Sequence, residues 1–571
     1  MIPRRGLGTK LCLGKDLKGQ PYYIEPLHLY IGARTGEGKS KLKESLMRQL
    51  VWKRSQPTII LIDTAGSTAE QMENYITRYN LEDRAILFYP QLYRQEGLAI
   101  GYDPTGDPQL PIAYRAKKAV AATLTALQID QQEKTSIYYI PELEVSLFNF
   151  FYAAMEAQGL TFSEAKALIE PQDNPLRPAI LERLKNPSIK AFWQYIERLP
   201  PERRKQALGI LPARLHPFLS SEPIRYMLSQ TQALNLRETI ERGSFIIANL
   251  QPFREGLTAK DSILLAAWLL NDILTVIFSR KPYTGKEVWI FCEEINDGYL
   301  TDDAAYLMRG SRKFNTHFVL SGQSLTDLRT QNPRIFNQVI TNADKIVFGG
   351  LPEQDLEILA PEFYAEELNL KEIKQEIERT YFEPKEGQRT IHSRGWGWSE
   401  FEGVGQVMSA SSGSTVIPQE GLLTPDIVHH HSSEGSVENF SSGQGYFESE
   451  QKSVIPFYEY IKRKELSSRE FFSLEEQLFK ARVRLKSLKP RYLAFKQRGA
   501  RTVILKTLDT PDIPRIPKYL KDTRQQIFSK AGCYATLEEI EKEEKERLKS
   551  LEGQAEKEPT YKQAYDPEKA N

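Results

Sequence analysis

The feature that most constrains the fold of this 571-residue chain is a glycine-rich segment that lies between a short apolar run and a helical pattern. The apolar run covers 27–31, and the segment after it consists of Gly32, Ala33, Arg34, Thr35, Gly36, Glu37, Gly38, Lys39 and Ser40. It matches the phosphate-binding loop GxxxxGK(S/T), except that Ala33 stands in place of the first glycine. In such a loop the backbone N–H groups and the lysine contact the phosphates, and the serine hydroxyl binds Mg²⁺. The segment therefore predicts a site for ATP and Mg²⁺, with residues 32–40 around the nucleotide.

Short apolar runs recur along the chain and have the length of buried strands. They cover 27–31, 58–62, 84–89, 244–250, 287–292, 316–321 and 344–348. A strand, a loop, a helix and a second strand in this order are typical of a parallel α/β sheet. We therefore predict an α/β core with a parallel-dominated central sheet, formed by 1–108 and 240–398. Between them, 109–239 contains only helical patterns and is predicted to be an inserted all-helical domain.

The C-terminal third has a different composition. Residues 399–451 are rich in Ser, Gly, Glu and His and are predicted to be a flexible linker. A small basic α/β region is expected over 452–535. The remainder, 536–571, alternates Glu and Lys and is predicted to be a charged tail, partly disordered.

The overall composition limits which partners the protein can attract and in which compartment it is expected. The formal net charge is +1, so attraction to a polyanion must come from local patches. Three separated cysteines fit neither a disulfide framework nor a CxxC metal site, which predicts a cytoplasmic protein. The apolar stretch 262–278 contains Asn271 and Asp272 and is shorter than a membrane span, so we expect a core helix and no membrane span.

Two further strand ends carry candidate catalytic residues. The run 288–292 ends in Glu293 and Glu294. Glu293 is predicted to bind Mg²⁺ through water and Glu294 to orient or deprotonate the attacking water; two exposed acids at a strand end are the alternative. Gln323 follows the strand 316–321 and is predicted to contact the γ-phosphate, unless it only caps the strand. Arg312 is our candidate for a cation that a neighbouring subunit inserts into the ATP site, and a solvated helix face is the alternative.

These motifs, in this order, resemble the hexameric FtsK-HerA superfamily of DNA pumps, and within it the type IV coupling proteins of conjugation. The most similar stretch is 289–323, with Asn296-Asp297, Leu307-Met308 and 311–315 between the acidic strand end and Gln323. Residues 62–66 and 342–348 also agree, so the resemblance covers 24–108 and 240–350. It implies a RecA-like ATPase core in a homohexameric ring that moves DNA. It also implies a helical insertion that engages secretion or DNA-processing proteins, at a cytoplasmic position peripheral to a membrane machine.

The chain departs from that pattern at several points. Ala33 and Glu293 replace more usual residues, and no transmembrane helices precede the phosphate-binding loop. A secretion ATPase that powers protein export or assembly is therefore kept as an alternative function. A nucleotide-gated scaffold without turnover is a third reading, motivated by Glu293.

Nucleic-acid contact has two candidate segments. One is the acid-free run 480–506, in which ten basic residues surround Tyr492 and Phe495; the alternative is that this run docks on the acidic tail at 536–550. The other is the segment after the strand 244–250, where Arg254 or Lys260 is expected to reach the lumen of a ring. Neither segment distinguishes single-stranded from double-stranded DNA.

Overall fold

The computed structural model describes residues 10–25, 27–127, 139–209, 211–253, 256–369, 371–397, 407–417, 427–437 and 447–555. The chain divides into two units, one formed by 1–369 with 473–571 and the other by 370–472. The strands are β1 Leu11–Lys15, β2 Pro21–Ile24, β3 Leu29–Gly32, β4 Thr58–Asp63, β5 Ala85–Phe88, β6 Leu98–Ile100, β7 Phe245–Asn249, β8 Val288–Cys292, β9 Thr316–Gly322, β10 Asp344–Phe348, β11 Ile373–Gly397, β12 Val407–Ile417, β13 Ile427–Val437, β14 Phe447–Phe471, β15 Tyr492–Lys496, β16 Val503–Thr507 and β17 Tyr534–Thr536.

The helices are α1 Lys39–Val51, α2 Ser67–Tyr79, α3 Leu92–Gln95, α4 Ile112–Ala126, α5 Tyr139–Glu156, α6 Phe162–Ala165, α7 Leu176–Glu182, α8 Pro187–Arg198, α9 Pro201–Leu208, α10 Leu211–Ser220, α11 Glu222–Leu228, α12 Leu236–Arg242, α13 Ala259–Ser279, α14 Asp302–Phe314, α15 Leu325–Gln331, α16 Pro333–Asn342, α17 Glu353–Tyr364, α18 Leu474–Lys486, α19 Pro517–Ala531 and α20 Leu537–Ala555. Short 3₁₀ helices cover Glu82–Arg84, Lys166–Ile169 and Ile295–Asp297.

A central sheet of eleven strands has the order β2-β1-β16-β15-β10-β3-β9-β8-β4-β7-β5. The seven strands from β10 to β5 pair in parallel. They correspond to the seven apolar runs of the sequence, so the predicted parallel-dominated α/β core is confirmed. Every residue of β4, β7, β8 and β10 is buried, as expected for parallel strands with both faces covered.

The other four strands extend this sheet on one side. β15 pairs antiparallel with β10, with Ile346 opposite Phe495, and β16, β1 and β2 follow. The sequence predicts a separate basic region over 452–535, whereas the structure places β15 and β16 in the central sheet. A two-stranded hairpin has only marginal stability by itself. The hairpin of β15 and β16 buries Leu493 and Phe495, and its pairing with β10 covers the edge of that strand.

The helices between β6 and β7 pack around an apolar cluster that also includes α13. Trp268 of α13 makes edge-to-face contacts with Phe151 and Phe218 of the inserted helices. Within the described ranges α13 is the one helix long and apolar enough to cross a membrane by length and composition, and 83% of that window is buried in the protein. Its Asp272 accepts a hydrogen bond of 2.6 Å from the Tyr102 hydroxyl inside this core. The helix therefore serves as the core helix that the sequence predicts.

The predicted charged tail begins with a docked helix. α20 buries Ile540 and Leu551, and its acidic face meets the inserted helices, with Glu544 2.5 Å from Arg225. Arg547 donates to Glu164 at 3.0 Å. The acidic segment thus pairs with the helical insertion, and residues 556–571 lie outside the described residues.

The second unit is a set of antiparallel hairpins. β11 pairs with β14 along a long ribbon, β12 pairs with β13, and Phe472 N–H donates to Glu372 C=O at 3.0 Å where the ribbon begins. The predicted linker over 399–451 therefore contains β12, β13 and the start of β14. Its segments 399–406, 418–426 and 438–446 lie outside the described residues.

Candidate nucleotide site

The glycine-rich loop connects the end of β3 to the start of α1. Gly36 has φ 91° and Gly38, the N-cap of α1, has φ 109°; both lie in the left-handed region that glycine adopts without strain. A Cβ atom on Gly36 would meet no other heavy atom within 4 Å, so the space at this turn is open. The free N–H groups at the start of the 13-residue α1, together with its dipole, favour an anion here.

Ala33 lies at the buried end of this loop. Its side chain is fully buried, and its N–H donates to the Gly322 C=O at 3.4 Å. Ala33 is not among the residues with positive φ, so this position does not demand glycine. The departure from the usual motif therefore leaves the geometry of the phosphate-binding turn intact.

Three of the predicted site residues meet beside this loop. Lys39 Nζ lies 2.5 Å from Glu294 Oε1, and Gln323 Nε2 donates to Glu294 Oε2 at 3.1 Å. They come from the start of α1 and from the ends of β8 and β9. β9 pairs in parallel with β3, and β8 pairs in parallel with β9. Glu294 has φ 45°, an unfavourable conformation for a residue with a side chain. Such strain of the order of 1–3 kcal/mol clusters at functional sites.

The turn that carries Gln323 is held by Asn296. Gln323 N–H donates to Asn296 Oδ1 at 3.0 Å, and Asn296 Nδ2 donates to the Ser324 C=O at 2.5 Å. The ends of β8 and β9 are therefore cross-linked by one side chain. This cross-link fixes the position of Gln323 relative to Glu294.

Glu293 lies deeper than its neighbour and has a different partner. Its carboxylate is 2.8 Å from Lys43 Nζ, and both side chains are almost fully buried. Lys43 also donates to Ser321 Oγ at 3.0 Å. Burial, and then the charge of Glu293, raise the pKa of the nearby Asp63 to about 7. The sequence interpretation missed Lys43, although its position four residues after Lys39 places both lysines on one face of α1.

A further carboxylate borders the site at Asp297. Its Oδ2 accepts a hydrogen bond of 2.8 Å from Thr64 Oγ1, at the end of β4. Burial raises the pKa of Asp297, the charge of Glu294 raises it further, and the charge of Lys39 lowers it. Asp297 therefore belongs to the same electrostatic cluster as the catalytic candidates. It was part of the sequence resemblance but was given no role.

The protein ligands fit Mg²⁺ bound together with a nucleotide. Among the residues that the structure describes, no group of three or more His, Cys, Asp or Glu side chains could hold a metal ion by itself. Mg²⁺ commonly keeps several waters and uses substrate phosphates with one or two protein oxygens. Ser40, the second residue of α1, is the loop hydroxyl available for this purpose.

Arg312 does not join this cluster within one chain. It is exposed near the end of α14, just before β9 begins, whereas Gln323 follows the other end of β9. Seven strand residues separate the two ends by about 23 Å. Arg312 instead lines a cleft of about 800 Å³ with Arg309, Lys345 and Arg498.

The basic run 480–506 is partly neutralised by acids that are distant in sequence. Arg482 lies 3.3 Å from Glu353, and Arg484 lies 3.3 Å from Glu367. The helix α17 and the residues after it supply these acids. The positive charge of the run therefore has no nearby acidic partner in the sequence, although it has partners in the fold. Of the two candidates for a ring lumen, Lys260 is exposed at the start of α13, and Arg254 lies outside the described residues.

No protein-family model and no curated protein sequence matches the chain. Solved structures with a similar fold include an unbound form of the bacterial conjugative coupling protein TrwB, at 11% identity over 90% of this chain and 92% of that chain, with a TM-score of 0.46. The plasmid coupling protein TrwB in complex with ADP and Mg²⁺ has 13% identity over the same shares of the two chains and a TM-score of 0.45. VirB4 of Thermoanaerobacter pseudethanolicus has 14% identity over 64% of this chain and 89% of that chain, with a TM-score of 0.41. Identities of 11–14% and TM-scores of 0.41–0.46 carry no conclusion about function, which depends on the side chains of the site.

Proposed function

We propose that this protein binds ATP with Mg²⁺ and hydrolyses it to move DNA through a ring of identical subunits. The observation that carries the proposal is the meeting of Lys39, Glu294 and Gln323 beside a glycine-rich loop at the start of α1. A cation at the start of a helix can bind phosphate oxygens, and a carboxylate and an amide at neighbouring strand ends can orient the attacking water.

Each of these side chains has a role in the proposed reaction. Lys39 is paired with Glu294 here, so triphosphate binding requires Lys39 to exchange this carboxylate for phosphate oxygens. The exchange frees Glu294 to orient and deprotonate the attacking water. Gln323 donates to Glu294 and holds its carboxylate. Ser40 would supply a hydroxyl ligand to Mg²⁺, which would, when bound, neutralise charge on the phosphate oxygens.

Glu293 keeps a less direct role in this scheme. We predict from the sequence that it binds Mg²⁺ through water, but its carboxylate is paired with Lys43 in a fully buried position. A role in fixing the end of β8, and with it Glu294, agrees better with that pairing. The two roles are separated by the Lys43 and Glu293 variants described in the Discussion.

The position of Arg312 supports an assembly in which neighbouring subunits share the ATP site. It lies one strand length, about 23 Å, from the strand end that carries Gln323, so it could reach a nucleotide only on another subunit. We propose a closed ring of six copies, the number that the sequence resemblance implies, in which each Arg312 enters the next site.

The test is ATP turnover with and without DNA of each form, for the intact protein and for Lys39→Ala. We expect stimulation by DNA in the intact protein and loss of both basal and stimulated turnover in the variant. Lys313→Ala, in an exposed residue one position from Arg312, is a control that leaves the loop intact. Turnover that ignores DNA but rises with a protein partner would replace this proposal with the secretion ATPase.

A further inference from the structure

The turn that carries Gln323 has a buried anchor in addition to Asn296. Asp355, in the first turn of α17, is 1% exposed. Its Oδ2 accepts a hydrogen bond of 2.8 Å from the Leu325 N–H, and its Oδ1 accepts from the Thr326 N–H at 2.9 Å and from Thr326 Oγ1 at 2.7 Å. One buried carboxylate thus receives three hydrogen bonds from the two residues that begin α15.

These hydrogen bonds hold the chain just after Gln323. α15 begins at Leu325, two residues after Gln323, and Ser324 is its N-cap. The first N–H groups of a helix have no partner within the helix, so they need acceptors elsewhere. Ser324 Oγ accepts one of them at 3.0 Å, and the first two donate to Asp355. The direction in which the chain leaves Gln323 is therefore set by a side chain of α17.

The start of α17 is also a neighbour of the nucleotide site. A Cβ atom on Gly350, in the turn before α17, would lie 3.2 Å from Arg34 Cδ of the glycine-rich loop. Burial raises the pKa of Tyr30 well above its ordinary value, and the charges of Asp355 and then Glu294 raise it further. Both carboxylates therefore act on one buried tyrosine of β3, the strand that leads into the loop.

α17 itself is held by α18. Gly350 N–H donates to the Lys486 C=O at 3.0 Å, and Arg482 lies 3.2 Å from Glu357. Buried apolar side chains of the two helices form one cluster, which includes Leu356, Leu359, Ala481 and Leu485. Asp355 is thus carried by a helix with a packed support of its own, and the start of α15 takes its position from that helix.

We infer that Asp355 is a positioning residue for ATP hydrolysis, which holds Gln323 in place by fixing the start of α15 on α17. This inference rests on the proposed function and deepens it, because it names the residue through which the α17–α18 pair acts on the reaction. The carboxylate of Asp355 is occupied by α15 and acts without touching ATP. Its loss leaves Lys39 and the loop unchanged but allows Gln323 to move away from Glu294.

The experiment is a double-mutant cycle on the kcat of ATP hydrolysis. Asp355→Asn keeps the size of the side chain and replaces one acceptor oxygen by a donor, and it is made in the intact protein and in Gln323→Ala. Thr326→Val, made in the same two backgrounds, removes only the hydroxyl donor. Asp327→Asn is a matched control, because Asp327 is an exposed acid in the first turn of the same helix. Far-UV circular dichroism checks that each variant folds.

We expect Asp355→Asn to lower kcat by about tenfold to a hundredfold, because a misplacement of about 1 Å can cost a hundredfold in rate. The KM for ATP should change by less than about twofold, since the groups that bind phosphate are untouched. In Gln323→Ala the same substitution should lower kcat by less than about twofold, because a residue that acts through Gln323 then has nothing to position. Thr326→Val should show a smaller loss with the same pattern, and Asp327→Asn should match the intact protein.

The other outcomes distinguish failure of this inference from failure of the proposed function. If the intact protein hydrolyses no ATP, both fall. If it hydrolyses ATP and Asp355→Asn has the same kcat, only the inference falls. An equal fall in both backgrounds also overturns it, as does a rise in KM without a fall in kcat. If Asp355→Asn does not fold, Thr326→Val decides, and an unchanged kcat in that variant overturns the inference.

Discussion

The buried pair of Lys43 and Glu293 allows a structural role and a metal role to be separated. At 2.8 Å and an effective dielectric constant near 20, the two charges attract each other by about 6 kcal/mol. Desolvation of each ion costs several kcal/mol, so the net contribution of the intact pair is small. Lys43→Met leaves Glu293 buried without its cation and close to Asp63, which should cost about 3–5 kcal/mol of stability.

The double variant Lys43→Met/Glu293→Met provides the control. It removes both charges and keeps side chains of similar volume, so we expect it to recover most of the loss and to lie within about 1 kcal/mol of the intact protein. Urea unfolding of all variants is followed by tryptophan fluorescence, because Trp289 lies on β8, the strand that Glu293 directly follows. Midpoints are compared for the transition that reports this strand, since a chain of two units need not unfold in one step.

ATP turnover of the double variant then assigns Glu293. Retained turnover means that Glu293 acts through the position of β8. Loss of turnover with recovered stability means that its carboxylate is needed at the Mg²⁺ shell. If Lys43→Met is as stable as the intact protein, then a buried Glu293 without its cation costs no stability, and the structural role of the pair is contradicted.

Three further predictions concern the loop, the core and the C-terminal helix. Gly38→Ala should weaken ATP binding by about tenfold, because φ 109° strains any residue with a Cβ by about 1–2 kcal/mol. Ala33→Gly should leave ATP binding unchanged. Nucleotide titration measures both affinities, and equal affinities of the two variants would contradict the loop geometry. Burial raises the pKa of Asp272 to about 8, above its unfolded value of 3.8, so the contribution of Asp272 to stability falls as the pH rises from about 4 to 8. The thermal midpoint of Asp272→Asn should therefore rise relative to that of the intact protein between pH 5 and pH 8. A difference in midpoint that stays constant over this range would contradict the prediction. Arg547→Ala should remove an ion-pair partner of the buried Glu164 and release α20, which would appear as faster proteolysis within this helix. Unchanged cleavage would show that the apolar contacts of α20 suffice to hold it in place.

The parallel core could be predicted from the sequence because its information is local. Each parallel strand contains a short apolar run, and the run at 27–31 is followed at once by the glycine-rich loop and a helical pattern. The resulting strands are parallel neighbours that end at the same edge of the sheet. Lys39, Glu294 and Gln323 could therefore be predicted as site residues from motifs alone, and the side chain of Glu294 contacts those of the other two.

The remaining features depend on contacts between distant segments. Gly14 pairs with Thr507 across the sheet, and no local pattern indicates a pairing over that separation. The partners of Lys43 and Asp297 come from other strand ends, so their participation could not be seen in a linear motif. The acids that pair with the basic run lie on and after α17, far from it in sequence. The buried face of α20 can likewise be recognised only when the inserted helices that cover it are known.

In the proposed mechanism Lys39 and Glu294 serve one triphosphate, and separate measurements of ATP binding and ATP turnover in Glu294→Gln test this. The amide keeps the shape of the side chain and removes its ability to take a proton. We expect ATP binding to be retained and turnover, with or without DNA, to fall by about a hundredfold or more. Turnover close to that of the intact protein would contradict the claim, because the carboxylate beside Lys39 would then take no part in hydrolysis.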